Sequence, residues 1–221
     1  MCYIFYKNIL LTAPLFLFGF YSGFSGTLIY HLLLYQGFNT VFTTLPIIWF
    51  ATMDFEYPKQ RLLTDPSLYQ GGLINIHFNF ATFFRWILFA FFKAALLLVI
   101  SVHEFKLSPK SSNGKMAGYA ELGEFVFTCI VYSVNVKLLV SCNQIGWGII
   151  LMITLSMMSY FCAQAVLSYL FASWDHFGTL EQLLSHPYHY MALLLFICTF
   201  AEIDRATGHV GKAIKDLRLQ R

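Results

Sequence analysis

The chain has 221 residues, of which 58% are hydrophobic, 19% aromatic and only 11% charged. A soluble domain carries about a quarter charged residues, so too little charge is present to clothe an apolar core in water. The formal net charge of +3 comes from scattered Lys and Arg, which excludes a basic face built for nucleic acid.

Long uncharged runs point to lipid as the solvent. Between Asn8 and Met53 the ionisable side chains are His31 and a few tyrosines, and Leu138–Trp174 carries no formal charge. A spanning helix needs about 20 mainly apolar residues, and lipid obliges backbone groups to pair within the segment. The first run breaks at Ser22-Gly23-Phe24-Ser25-Gly26, a turn of small residues. This predicts spans over about 3–22 and 32–53, with Pro14 and Pro46 as candidate helix kinks, since proline frees a backbone carbonyl. A polar link with Pro58, Pro66 and Gly71-Gly72 leads to a third span, about 80–102. Lys93 lies about ten residues inside it, which demands a polar partner or a wet crevice. A solvated loop, Glu104 to Ala120, precedes the fourth span, about 121–142, and the fifth, about 146–170. Lys137, near the end of the fourth, reads as a snorkelling lysine. The sixth span, about 188–205, holds a short apolar run whose end is marked by Glu202, Asp204 and Arg205, and a basic tail over 206–221 follows. The expectation is an all-α polytopic membrane helix bundle of about six transmembrane helices, forming one domain over 1–205.

An even span count puts both termini on one side of the membrane. Lys59, Arg61, Arg205, Lys212, Lys215, Arg218 and Arg221 fall on that side, against Lys106, Lys110 and Lys115 on the other. The positive-inside rule therefore places both termini in the cytosol. The five cysteines show no C-x-x-C or zinc spacing. His186 and His189, three apart beside Pro187, form a weak metal pair at best, and no metal site is expected. No Ser/His/Asp or Cys/His spacing supports a catalytic site.

Several motifs in sequence resemble a known family. Phe5-Tyr6-Lys7-Asn8 followed by Gly19-Phe20-Tyr21-Ser22-Gly23-Phe24-Ser25-Gly26 is similar to the fifth membrane helix and exit loop of type IV P-type ATPases, the phospholipid flippases. Phe38-Asn39-Thr40-Val41-Phe42-Thr43-Thr44-Leu45-Pro46 resembles their sixth helix, with Phe38 where tyrosine is usual. Asp65-Pro66-Ser67-Leu68-Tyr69, the stretch Asn75 to Trp86, Asn113-Gly114-Lys115, the run Phe125 to Lys137 and Trp147 continue the likeness in order. The tail after Phe200 matches poorly.

The resemblance implies the C-terminal membrane region of an ATP-driven transporter that moves phospholipid to the cytosolic leaflet, in the plasma membrane or in Golgi or endosomal membranes. It implies Mg²⁺ and ATP as requirements of the complete enzyme, because no D-K-T-G phosphorylation motif and no T-G-E-S actuator motif stands in this sequence. A missing N-terminal ATPase portion and a two-span accessory β-subunit are the implied partners, and the chain alone is expected not to hydrolyse ATP. The alternative is a flippase-derived, non-catalytic structural or regulatory subunit. Substrate-path candidates are Lys7, Asn8, Asn39 and Thr43. Intramembrane polar side chains are costly and serve as functional candidates by default. Lys7 could instead snorkel from the helix start. Asn39 and Thr43, four apart, are expected on one helix face.

Overall fold

The structure, a computed structural model, describes residues 2–69, 79–107, 118–170, 179–185 and 187–219. All regular structure among these residues is helical. Helix α1 (Cys2–Tyr21) runs as one element through the buried Pro14. It ends as its sequence demands: Gly23 takes φ +60° and the Phe24 N–H reaches back to the Gly19 carbonyl at 2.8 Å. That left-handed residue satisfies terminal carbonyls that lipid would leave bare. The Phe24 ring packs edge-on against Phe20, with centroids 5.1 Å apart.

The second apolar stretch is divided. Helix α2 (Leu32–Gly37) opens with the His31 side chain accepting from the Leu33 N–H at 3.2 Å. A wide turn with five-residue hydrogen-bond spacing covers Phe38–Phe42, and α3 (Thr44–Met53) resumes the α-helix. Short α4 (Lys59–Thr64) follows, then the long α5 (Phe80–Leu107), α6 (Tyr119–Ser141), α7 (Trp147–Leu170), α8 (Thr179–Ser185) and α9 (Pro187–Leu219). Four described helices are long and apolar enough to cross a membrane: Cys2–Tyr21, Phe80–Phe105, Tyr119–Ser141 and Trp147–Tyr169. The expected count of about six is thus approximate: the 32–53 stretch is divided into short elements, and α9 is not among these four. The loop residues Lys110, Ser111, Asn113-Gly114 and Lys115, residues 171–178, the Asn75 end of the Asn75–Trp86 stretch and His186 lie outside the described residues.

Helix α6 is the axis of the bundle, buried over most of its length, whereas α5 and α7 leave large apolar side chains such as Leu88, Phe92, Leu151 and Met158 exposed. That is the surface of a lipid-immersed protein. Lipid tails remove the hydrophobic drive between helices, so close packing and internal hydrogen bonds must hold them together. Polar residues of α6 accordingly bond back to their own helix: Thr128 donates to the Glu124 carbonyl at 2.7 Å and Ser133 to the Cys129 carbonyl at 2.6 Å. Gly123 allows α6 to touch the segment before α2, because a Cβ there would fall 1.6 Å from the Ile29 carbonyl oxygen. At the other end of the bundle, the Asp54 carboxylate accepts from the Asn143 and Gln144 N–H groups, each at 3.0 Å, and so caps the α6–α7 link.

Candidate functional site

Two of the polar clusters among the described residues inside the bundle touch the first turns of α1. The first begins with Lys7, only 5% exposed. Its ammonium donates to the Thr43 hydroxyl at 2.8 Å and stands 5.7 Å from the centre of the Phe38 ring. Lys7 therefore does not snorkel. Thr43 passes the hydrogen bond on, donating to the Phe38 carbonyl five residues back at 2.8 Å. Among the described residues no carboxylate is paired with the Lys7 ammonium.

The wide turn explains this arrangement. Five-residue spacing shifts the register, so Thr43 points inward with Phe38 while Asn39 is exposed on the other side. The expected shared face of Asn39 and Thr43 is thus corrected: the turn breaks the 3.6-residue register before Thr43, which is buried while Asn39 is exposed. Pro46 contributes to the same geometry. It has no N–H to offer the Phe42 carbonyl four residues earlier, and the Ser156 hydroxyl of α7 takes that carbonyl instead. Thr44 likewise bonds the Asn39 carbonyl. Asn8 is half-buried beside Lys7, and its backbone carbonyl accepts from the Thr12 hydroxyl at 2.9 Å.

The second cluster was not legible as one. Lys93, at the midpoint of α5 and fully buried, donates to Asp204 at 2.5 Å, to the Tyr6 hydroxyl at 3.2 Å and to the Phe200 carbonyl at 3.3 Å. Lys137 donates to the same Asp204 oxygen at 3.0 Å and lies 4.6 Å over the Trp86 ring. The expectation that Lys137 snorkels is corrected, because an ammonium with a buried carboxylate and an aromatic face within reach need not seek the interface. Asp204 does not close the last span. It is buried, and α9 continues past it to Leu219. A pairing rule would have found these residues: two lysines and one carboxylate set in apolar runs must meet one another.

At the far end of the bundle, His189 stacks on Phe105 with centroids 5.1 Å apart and stands 3.6 Å from Glu104. Among the described residues no group of three or more His, Cys, Asp or Glu is placed to hold a metal ion.

A family model described as phospholipid-translocating P-type ATPase, C-terminal, matches residues 1–212. Phospholipid-transporting ATPase 6 of Arabidopsis thaliana is 31% identical over 147 residues, covering 66% of this chain and 12% of that protein. Probable phospholipid-transporting ATPase 5 of the same plant is 27% identical over 214 residues, covering 96% of this chain and 17% of that protein. Phospholipid-transporting ATPase ID of Mus musculus is 32% identical over 138 residues, 62% of this chain and 11% of that protein. The chain thus spans less than a fifth of the length of these curated relatives.

Proposed function

The chain belongs to the phospholipid-translocating P-type ATPases, in their C-terminal membrane region, and on that premise we propose that it forms the membrane half of an ATP-driven flippase, with Lys7 and Thr43 lining the lipid path. A lipid head group crossing hydrocarbon needs polar partners, because an unpaired polar group there costs several kcal/mol. One observation carries the assignment: a buried ammonium that, among the described residues, hydrogen-bonds to a neutral hydroxyl at 2.8 Å and to no carboxylate. Such a cation still lacks a counter-charge, and a phospholipid phosphate supplies one. The Thr43 hydroxyl, already donating to Phe38, orients the ammonium without neutralising it.

In this reading ATP and Mg²⁺ act in a portion of the enzyme beyond these residues, and no step here runs through a metal. The family relation supports phospholipid as substrate, moved toward the cytosolic leaflet. A two-span accessory subunit would meet the loops about residues 104–120 and 171–189. The seven-to-three bias of basic residues supports cytosolic termini. A cysteine introduced at Ser111 should then react with an impermeant reagent from the non-cytosolic side, and one at Gln60 should not. The reverse pattern would overturn the orientation.

The lipid path is tested in a complete transporter carrying these spans. Lys7→Ala should lower lipid-stimulated ATP turnover about tenfold or more, the worth of one charge-assisted contact. Thr43→Val should lower it less, and Thr12→Ala should leave it near the parent value. Asn39→Leu asks whether the outward face of the wide turn also meets lipid. Equal turnover in Lys7→Ala and Thr12→Ala would return Lys7 to a packing role.

A further inference from the structure

We propose that Lys93 of α5, Lys137 of α6 and Asp204 of α9 are positioning residues that set the Lys7–Thr43 contact, acting through Tyr6. The proposal rests on the lipid-path reading of Lys7 and adds a control that reading does not contain. Tyr6 and Lys7 are consecutive on α1, so their side chains leave the helix about 100° apart and address different neighbours. Tyr6 faces the charge cluster. Its hydroxyl accepts from Lys93 at 3.2 Å, and its ring has the Lys93 and Lys137 ammoniums 5.5 and 5.7 Å from its centre. The edge of Trp86 completes the enclosure, with ring centroids 5.8 Å apart. One turn earlier, the Tyr3 hydroxyl donates to the Val134 carbonyl of α6 at 3.0 Å.

The first turns of α1 are therefore fixed in rotation and height by α5, α6 and α9. Lys7 reaches Thr43 from that fixed turn. Asp204 is the hub, because both lysines converge on one of its oxygens, at 2.5 and 3.0 Å. Without the carboxylate the two ammoniums repel, and the Phe200 carbonyl and neighbouring rings alone must hold Lys93 near the Tyr6 hydroxyl. None of the three is hydrogen-bonded to Thr43, and α1 carries their influence to the Lys7–Thr43 bond through Tyr6.

The full chain, labelled with ¹⁵N at the lysine ammonium groups and set in phosphatidylcholine nanodiscs, provides the test. Lys7→Met identifies the Lys7 resonance by its disappearance. The Lys7 ammonium should exchange slowly with water in the parent chain. Tyr6→Phe, which deletes one hydroxyl, should speed that exchange about tenfold, within the range that coupled side chains carry. The combined Lys93→Met, Lys137→Met, Asp204→Leu chain removes every charge of the cluster and leaves none unpaired. It should keep the parent melting temperature and show the same faster exchange at Lys7. The Gln164 side-chain amide, bonded to Glu124 at 3.2 Å at the other end of the bundle, should be unchanged in both. An unaltered Lys7 signal in Tyr6→Phe would overturn the proposal, whether or not the combined variant folds. So would parallel loosening at Gln164, which would mark a general structural effect. Failure of the lipid-path reading would appear separately, as unchanged turnover in Lys7→Ala with these signals intact.

Discussion

The two lysine clusters are built from the same kind of residue in the same helix bundle, yet they solve opposite problems. Lys93 and Lys137 share a carboxylate and the Tyr6 ring, and Lys93 adds the Phe200 carbonyl and ring while Lys137 adds the Trp86 ring. Lys7 has one neutral hydroxyl and one aromatic face. A buried ion pair recovers the desolvation of its charges when its geometry is good and its remaining donors are met. An ammonium facing a threonine recovers little of that cost. The contrast teaches that burial by itself does not distinguish the two sites; the presence or absence of a counter-charge does. The cluster that holds a carboxylate ties α5, α6 and α9 to α1, and the ammonium without one is the group proposed to meet lipid.

The comparison breaks most decisively at Asp204. Asp204→Leu would leave two buried ammoniums with no carboxylate, and should cost about 3–5 kcal/mol, as breaking a buried pair from one side does. Removing all three charges together should be near neutral by the same principle. Reversible unfolding of the chain in bicelles measures both. A single Asp204→Leu change that costs no more than the combined variant would show that the cluster does not behave as an ion pair.

Much of this architecture could be read from the sequence, and the misses have two physical origins. The apolar runs, the Ser22–Gly26 turn and the α6–α7 link are local signals. Lys7 and Thr43 were singled out separately, by resemblance and by their polarity in hydrocarbon, and the structure joins them across 36 positions. The partners of Asp204 lie 67 and 111 residues away, and no periodicity connects such distances. A charged residue late in a short apolar run reads as the end of a span, and here it is a buried anchor. The outward turn of Asn39 was hidden for another reason. A helical wheel assumes 3.6 residues per turn, and the wide turn Phe38–Phe42 abandons that spacing. Thr43-Thr44 ahead of Pro46 was the local hint, since two hydroxyls stand ready to bond the carbonyls such a turn frees.

The wide turn is also where the comparison can be sharpened at intermediate cost. Ser156→Ala removes the hydroxyl that takes the Phe42 carbonyl, which Pro46 cannot serve. A carbonyl left bare in a dry interior should cost about 1–2 kcal/mol. The same bicelle unfolding measures it, and Ser159→Ala on the same helix supplies the control. A loss no larger than that of Ser159→Ala would mean that the turn finds another donor, and that Lys7 reaches Thr43 without help from α7.

The smallest effect is the most telling one. Lys7→Met keeps the length and packing of the side chain and removes only the ammonium. Thr43 still donates to the Phe38 carbonyl at 2.8 Å, so no buried donor is orphaned by the change. Interhelical hydrogen bonds in membranes average only about 0.6 kcal/mol, and deleting an unpaired charge offsets much of that. The stability of the chain should therefore change by less than about 1 kcal/mol in either direction, against several for Asp204→Leu. If Lys7→Met instead destabilises the bundle as strongly as Asp204→Leu, Lys7 is a staple like Lys93, its charge is already answered within the fold, and the lipid path must be sought elsewhere in the bundle.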